Sequence, residues 1–415
     1  MRDKIRDQLL NPHGLERLYR SNKSTFKREF NALYPEIGGN ETARVWYERL
    51  NYEDEEISWG TRNELTFVVF AALLAGLVAK IPALTGIPED NFLSRNISFI
   101  VFPFLAAYFS WKQKLDIKKV LPIGGAFFIA LLYINLLPSN DLQSHTFILA
   151  AIHLPLFLWA ILGYAFLGDG IKDYQRRLDY LRYNGDLVVM GTLILISGMI
   201  LTGISIGLFS LIELNIEKIF GEYIVIWGLA AAPIVSTYLV QTNPHLVNKV
   251  SPVIAKVFTP LVLITLVIYL ISIIYTGQDP YTDRDFLMVF NIMLIGVMAI
   301  ILFSIIETDE DVESRFPHMM LTALSGVTII VNGIALSAIL FRIAEWGITP
   351  NRMAVLGGNL LMLTNLVIVG YYLFKGLTQN EGIEAVKKSI TSFLPYYSIW
   401  TIVVTFLFPL LFGFK

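Results

Sequence analysis

The stretch FRIAEWGITPNR, residues 341–352, separates two apolar runs that are each long enough to cross a bilayer. Its punctuation is helical. Arg342 and Glu345 stand three apart, so on a helix continuing from the preceding run they share a face and can pair. Gly347 lets that helix end, because glycine takes the left-handed conformation without a side-chain clash. Thr349 is a good N-cap and Pro350 a favoured first helical residue, so the next helix begins there, with Asn351 and Arg352 in its first turn. The connection is then only about four residues long, the short end of helix–helix links. So tight a turn brings Arg352 back toward Glu345, where one carboxylate can bridge two guanidiniums. An arginine in a first helical turn opposes the helix dipole, which says that Arg352 answers something other than helix stability. The expectation is a charged clasp between two membrane helices at the outer interface. The sharper alternative is an anion or headgroup site lined by Arg342 and Arg352.

Outward from this turn the pattern repeats. From about residue 64 onward, apolar runs of roughly 17 to 25 residues follow one another, the length a helix needs to cross about 30 Å of hydrocarbon. Eleven are expected, over 65–84, 96–111, 120–137, 146–167, 186–209, 223–240, 257–275, 286–306, 319–341, 353–374 and 393–412. No run shows the period-two alternation of a barrel strand, and a helix satisfies its own backbone in lipid. Composition agrees: 415 residues, 55% of them hydrophobic and 16% charged, with a mean hydropathy of +0.59, are too apolar for an ordinary soluble enzyme. The expected fold class is all-α, a polytopic transmembrane bundle (residues 63–415) behind a small helical domain (residues 1–62).

Orientation follows from lysine and arginine. With the amino terminus in the cytoplasm, 25 of them fall on inner segments and 6 on outer ones, while Lys80 sits within the first run. That asymmetry predicts an inside amino terminus and an outside carboxyl terminus, in a bacterial inner membrane. The first 62 residues lack an apolar core behind a basic start, so no cleavable signal peptide is expected and a later helix directs insertion. They carry 11 Lys/Arg and 11 Asp/Glu, and their apolar residues recur at helical spacing: Phe26, Phe30, Leu33 and Tyr34, then Ala43, Trp46 and Leu50. Ser24 or Thr25 is placed to cap one helix there. YPEIGGN (residues 34–40) is expected to break the chain before another, capped by Asn40. So small a domain buries little core and leans on the membrane part or on a cytoplasmic protein partner.

Familiar chemistry is missing from the sequence. Cysteine is absent, which excludes disulfides and thiolate chemistry. HExxH, GxSxG, Walker and zinc spacings are absent too, so no catalytic residue, cofactor or metal ligand is assigned. The five histidines are scattered: His13, His145, His153, His245 and His318. Only His153 is placed deep in a span, where a lone histidine satisfied by a neighbouring helix is the commoner case. The net charge of -2 gives no pull toward nucleic acid.

Other segments offer secondary candidates. ETDEDVESRFPH (residues 307–318) lacks the glycine and spacing of a calcium loop and reads as a solvated loop rather than a cation antechamber. GDGIKDYQRRLDYLRYNGD (residues 168–186) interleaves Lys172, Arg176, Arg177 and Arg182 with Tyr174, Tyr180 and Tyr183, as in an amphipathic helix anchored on headgroups. Asp169 and Asp186 are expected at its ends. Lys80, near the outer end of the first run, is expected to snorkel to the interface. Asn291, Asn332, Asn359 and Asn365 fall inside later spans and can hydrogen-bond between helices. With Gly333, Gly357 and Gly358 nearby, spans eight to ten are the place to look for a cavity.

The run Arg342, Ile343, Glu345, Trp346, Gly347, Thr349, Pro350, Asn351 and Arg352, followed by an apolar helix, resembles the signature of a bacterial multi-pass membrane family catalogued as domain of unknown function 4153. That family is expected to place an arginine, an aromatic-glycine pair and a threonine-x-x-arginine between two membrane helices. Trp346 stands where tyrosine or phenylalanine is commoner. LERLYRSNKSTFKREFNALYPE (residues 15–36) is similar to the cytoplasmic start of some members. The resemblance implies an architecture and no activity.

Three functional classes remain. A transporter or permease-like protein for a small solute or lipid leads, on many helices and polar groups concentrated in spans eight to ten. No internal repeat is visible to support it. A non-enzymatic scaffold or sensor, whose amino-terminal domain binds a partner, is second. An intramembrane transferase using Glu345 or His153 comes last, because no acid, base and nucleophile set can be assembled. The expected partners are the lipid bilayer, a small solute or lipid headgroup, and a cytoplasmic protein at residues 1–62.

Overall fold

A computed structural model of the chain describes residues 2–9, 11–21, 23–51, 59–138, 144–210, 216–244, 259–264, 266–268, 270–271, 281, 284–306, 315–379 and 383–414. Among these the regular structure is helical, with no strand. The chain divides into two compact units, Met1–Trp59 and Gly60–Lys415. The boundary lies slightly before the expected one for a local reason. Thr61 accepts the Glu64 main-chain N–H at 3.2 Å and so caps the first apolar helix, which draws residues 60–62 into the second unit.

The described residues of the first unit form four helices, α1 (Arg2–Asp7), α2 (Pro12–Ser21), α3 (Lys23–Ile37) and α4 (Glu41–Asn51). Phe26, Phe30, Leu33, Ala43, Trp46 and Leu50 are all buried, together with Ile5 and Leu15. Tyr34 is half-buried and stacks on Tyr47 at 3.7 Å between centroids. Asn40 caps α4, accepting the Thr42 N–H at 2.8 Å, as its position before the helix requires. The side chains of Ser24 and Thr25 lie outside the described residues.

The second unit contains α5 (Arg62–Ala79), α6 (Ile81–Thr85), α7 (Glu89–Asn96), α8 (Phe102–Lys112), α9 (Ile117–Leu136), α10 (His145–Leu167), α11 (Tyr174–Ser210), α12 (Glu217–Ile219), α13 (Ile226–Thr242), α14 (Arg284–Ile306), α15 (Arg315–Trp346), α16 (Pro350–Gln379), α17 (Ile383–Ile402) and α18 (Phe408–Leu411). Nine helical segments among the described residues are long and apolar enough to cross a membrane. They coincide with nine of the eleven expected runs. Of the other two, 257–275 falls partly outside the described residues, which carry the shorter apolar helix Thr259–Ile268 there, and 286–306 lies within α14, whose apolar stretch Asn291–Ile306 is shorter than a full span. Large side chains such as Phe70, Ile129 and Leu201 stay more than half exposed, as lipid-facing residues do. The acidic stretch 307–314 and His245 lie outside the described residues.

Two large buried apolar clusters organise the described residues of this unit, beside a small one of Ala354, Val404 and Phe408. One joins α5, α8, α9, α10 and α13 with Tyr180, Tyr183 and Met190 of α11. The other joins α14, α15, α16 and α17 with Leu178 and Leu181 of α11. Helix α11 therefore serves both, and this corrects the expected headgroup helix at 168–186. From Tyr174 the chain runs unbroken through Asn184 and Gly185 into the fifth span. Tyr180 and Tyr183 are buried, their hydroxyls bonded to the Trp159 carbonyl (2.6 Å) and to Thr237 (2.9 Å). Asp186 is thus inside a helix rather than at an end of one, because the tyrosines on either turn find apolar helices to pack on. Asp169 does sit in a terminal turn, Gly168–Gly170, ion-paired with Lys119.

Among the described residues two π-helical turns interrupt the bundle, Phe220–Val225 before α13 and Val403–Leu407 before α18. A π turn leaves a carbonyl without its usual i+4 donor. In each, a side chain from another helix supplies a donor: Lys80 Nζ to the Glu222 carbonyl at 2.8 Å, and the Tyr133 hydroxyl to the Phe406 carbonyl at 2.9 Å. Among the described glycines of this unit packing is closest at Gly357, where a Cβ would lie 2.1 Å from the Trp400 ring, whereas one at Gly333 would meet nothing within 4 Å. Gly357→Ala is expected to cost about 1–3 kcal/mol through overpacking, and Gly333→Ala to be neutral or mildly stabilising. Thermal unfolding in detergent checks the difference.

Candidate functional site

The junction of α15 and α16 forms much as its sequence requires. Gly347 takes a left-handed conformation, φ +77°, and its N–H donates to the Ile343 carbonyl at 2.9 Å. Thr349 Oγ1 accepts the Arg352 N–H at 3.3 Å, and Pro350 opens α16. The charges are spent differently from expectation. Arg342, buried, donates from Nε to the Tyr281 carbonyl at 2.8 Å. Arg352 Nη1 donates to the Trp346 and Gly347 carbonyls, at 2.8 and 2.7 Å. Both guanidiniums lie over the Trp346 ring, 5.4 and 5.7 Å from its centroid. Glu345 is exposed and makes no ion pair among the described residues.

The clasp is therefore a tryptophan and a helix end rather than a carboxylate. The last carbonyls of α15 have no intrahelical donors and carry the negative end of its dipole, so a cation there is favourable even though it stands in the first turn of α16. Asn351 donates to His145 at 3.1 Å, tying the same turn to α10. Arg352→Ala is expected to cost about 1–2 kcal/mol in stability, and Glu345→Ala to stay within about 0.5 kcal/mol of zero. Equal losses in the two variants would restore the carboxylate bridge.

Cations elsewhere on the side that the charge count assigns to the exterior behave alike. Lys80 is buried, bonded to the Glu222 carbonyl and 4.7 Å from the Tyr223 ring centroid, and so turns inward rather than snorkelling. Arg95 donates to the Leu137 carbonyl at 3.3 Å, at the end of α9. Backbone carbonyls are the common acceptor. His153 is likewise satisfied within its own helix, its Nδ1 2.9 Å from the Leu149 carbonyl.

The asparagines of α14–α16 form the polar interior of the second cluster. Asn359 donates to Asn291 Oδ1 at 2.8 Å, linking α16 to α14, and Asn365 donates to the Tyr397 hydroxyl at 3.1 Å, linking α16 to α17. Asn332 and Ser325 are fully buried on α15, seven residues apart and so on one face. Neither the Asn332 amide nitrogen nor its oxygen has a partner among the described residues, and the same holds for Ser325 Oγ and Asn365 Oδ1. A Cβ on Gly370 would lie 3.8 Å from Ser325 Cβ, which sets the register of this antiparallel pair and puts Asn365 at about the height of Asn332. Three hydrogen-bonding atoms, two on Asn332 and one on Asn365, thus stand at about one height of the bundle with capacity unspent among the described residues, and Ser325 Oγ lies two helical turns, about 10 Å, along α15.

The chain matches no family model, no curated protein and no solved structure. What the site can do rests on its chemistry alone. No group of three or more metal-ligating side chains is present among the described residues.

One constellation escaped sequence reasoning. Glu64 of α5 is buried and accepts from the Tyr108 hydroxyl (2.6 Å) and from Lys112 Nζ (2.9 Å), both on α8, while Lys112 lies 3.1 Å from the Tyr108 oxygen. These groups stand beside a groove of about 820 Å³ between α5, α8 and α9. Its polar end is formed by Glu64, Ser110, Lys112 and Lys114, and its wall by residues such as Ala106, Ala107, Ile123 and Phe127. A signal did exist. Thr61 and Glu64 have the T-x-x-E spacing of a capping box, and Tyr108 and Lys112 stand one helical turn apart at the end of the next span.

Proposed function

We propose that this multi-pass membrane protein is a permease-like carrier for a small, polar, uncharged or zwitterionic solute, bound at the level of Asn332 between α15 and α16. The observation that carries the reading is the hydrogen-bonding capacity left unspent, among the described residues, on Asn332 and Asn365 at one level of helices that bear no charged side chain there, with the Ser325 hydroxyl two turns along α15. A buried amide with both ends unpaired costs free energy, and in a membrane bundle such groups are retained where they contact cargo. Amides and hydroxyls match neutral donors and acceptors better than they match ions. On this reading the protein belongs to the family named domain of unknown function 4153 and lies in a bacterial inner membrane, with its amino terminus in the cytoplasm and its carboxyl terminus outside.

The test is solute-driven swelling of proteoliposomes with a panel of neutral and zwitterionic small molecules. Passage of at least one, lost in Asn332→Leu, supports the carrier. No passage of any, together with capture of a cytoplasmic protein that deletion of residues 1–59 abolishes, replaces it with the scaffold reading.

A further inference from the structure

We propose that the groove between α5, α8 and α9 is a binding site for one anionic phospholipid, with an acyl chain along α8 and α9 and the phosphate against Lys112 and Lys114. It is separate from the Asn332 layer and stands whether or not that layer carries solute.

Three observations converge on this occupant. The wall is apolar and built on membrane-spanning helices, so what fills most of its 820 Å³ is hydrocarbon. Small residues open it: Ala106, Ala107 and Gly124 line it, and a Cβ on Gly124 would meet nothing within 4 Å. Leu121 and Phe128, on the same helix as Gly124, are exposed as lipid-facing side chains are. A soluble anion gains nothing from such a wall, whereas an acyl chain does.

The polar end supplies the second and third observations. Ser110 is 8% exposed, lines the groove, and its hydroxyl has no partner among the described residues. It is a donor at the depth where a glycerol ester carbonyl would lie. Beyond it stand two cations and one carboxylate, Lys112, Lys114 and Glu64, so the mouth has one positive charge in excess, which a phosphodiester neutralises. Lys114 is held at φ +52°, a backbone region uncommon for a residue other than glycine, asparagine or aspartate, and this fixes where its side chain leaves the chain. The end of the groove at Lys112 and Lys114 is also the side with most lysine and arginine, so the lipid is drawn from that leaflet.

Native mass spectrometry of the full chain, delipidated in detergent and titrated with phosphatidylglycerol or phosphatidylcholine, tests the assignment. One phosphatidylglycerol is expected to bind in preference to phosphatidylcholine. Lys114→Glu, which reverses the charge, and Gly124→Leu, which fills the groove without a backbone clash, are each expected to weaken it on the order of tenfold. Lys218→Glu, on the exposed opposite end, is the control and should leave it unchanged. Equal binding of the two lipids overturns the proposal, leaving exchangeable boundary lipid only. So does phosphatidylglycerol binding that survives both groove variants while their thermal midpoints stay at the wild-type value. Should one groove variant unfold, the other decides.

Discussion

Asn332→Leu is expected to abolish solute passage through the reconstituted protein while leaving its thermal midpoint unchanged or raised. The two halves of this result come from one fact. Asn332 is fully buried and both ends of its amide are unpaired among the described residues, so folding strips it of hydrogen bonds and returns none. Leucine has the same number of side-chain heavy atoms, branched at the same carbon, and nothing to desolvate, and replacing an unsatisfied buried polar group by an apolar one of like shape is neutral or stabilising. A purely structural asparagine would behave oppositely: its loss would break bonds and cost about 1–3 kcal/mol. Asn359, which does bond Asn291, supplies that contrast within the same bundle. A midpoint that falls in Asn332→Leu, with passage intact, assigns the residue to packing and removes it from the solute path.

Glu64→Leu is expected to destabilise the bundle by about 2–4 kcal/mol, the largest stability loss anticipated for a single substitution here. Breaking a buried pair by removing one partner typically costs about 3–5 kcal/mol, because the other charge is left behind. The side chains of Glu64 and Lys112 are 10% and 30% exposed, so solvent reaches the lysine and reduces that figure. The Tyr108 hydroxyl, itself deeply buried, would lose its acceptor as well. The double variant Glu64→Leu/Lys112→Leu should recover much of the loss, since desolvating the pair is itself costly. Chemical unfolding in detergent across the four-member cycle measures the coupling. Additive losses would mean that the two groups act separately.

What was legible in the sequence was local. Gly347, Thr349 and Pro350 ended one helix and began the next because caps depend on neighbours one to four residues away. The buried face of α3 and α4 followed from a 3.6-residue period for the same reason. The partners of the charges were not legible, since each lies far along the chain: Tyr281 is 61 residues from Arg342, and Tyr108 is 44 from Glu64. Arg342 and Glu345 share a helix face, yet a carbonyl from elsewhere outcompeted the carboxylate, which keeps its water by staying exposed. Residues 168–186 misled in a related way. Their alternation of arginine and tyrosine fits a membrane surface and a buried seam equally, and only the neighbouring helices decide which. The asparagine layer was readable as a list of residues; that Asn332 finds no partner among the described residues while Asn359 does depends on register between helices.

The π turns at Phe220–Val225 and Val403–Leu407 have a further meaning as stored length. Each holds about one residue more than an α-helical turn, so straightening it to α geometry would advance the following helix by about 1.5 Å and rotate it by about 100°. Helix α13 would then offer a different face to α5 and α11, and α18 a different face to α10. Lys80 and Tyr133 hold the carbonyls that such straightening would reclaim. What these two side chains fix is an angle: they act as detents on two helices whose backbones already contain the slack to turn.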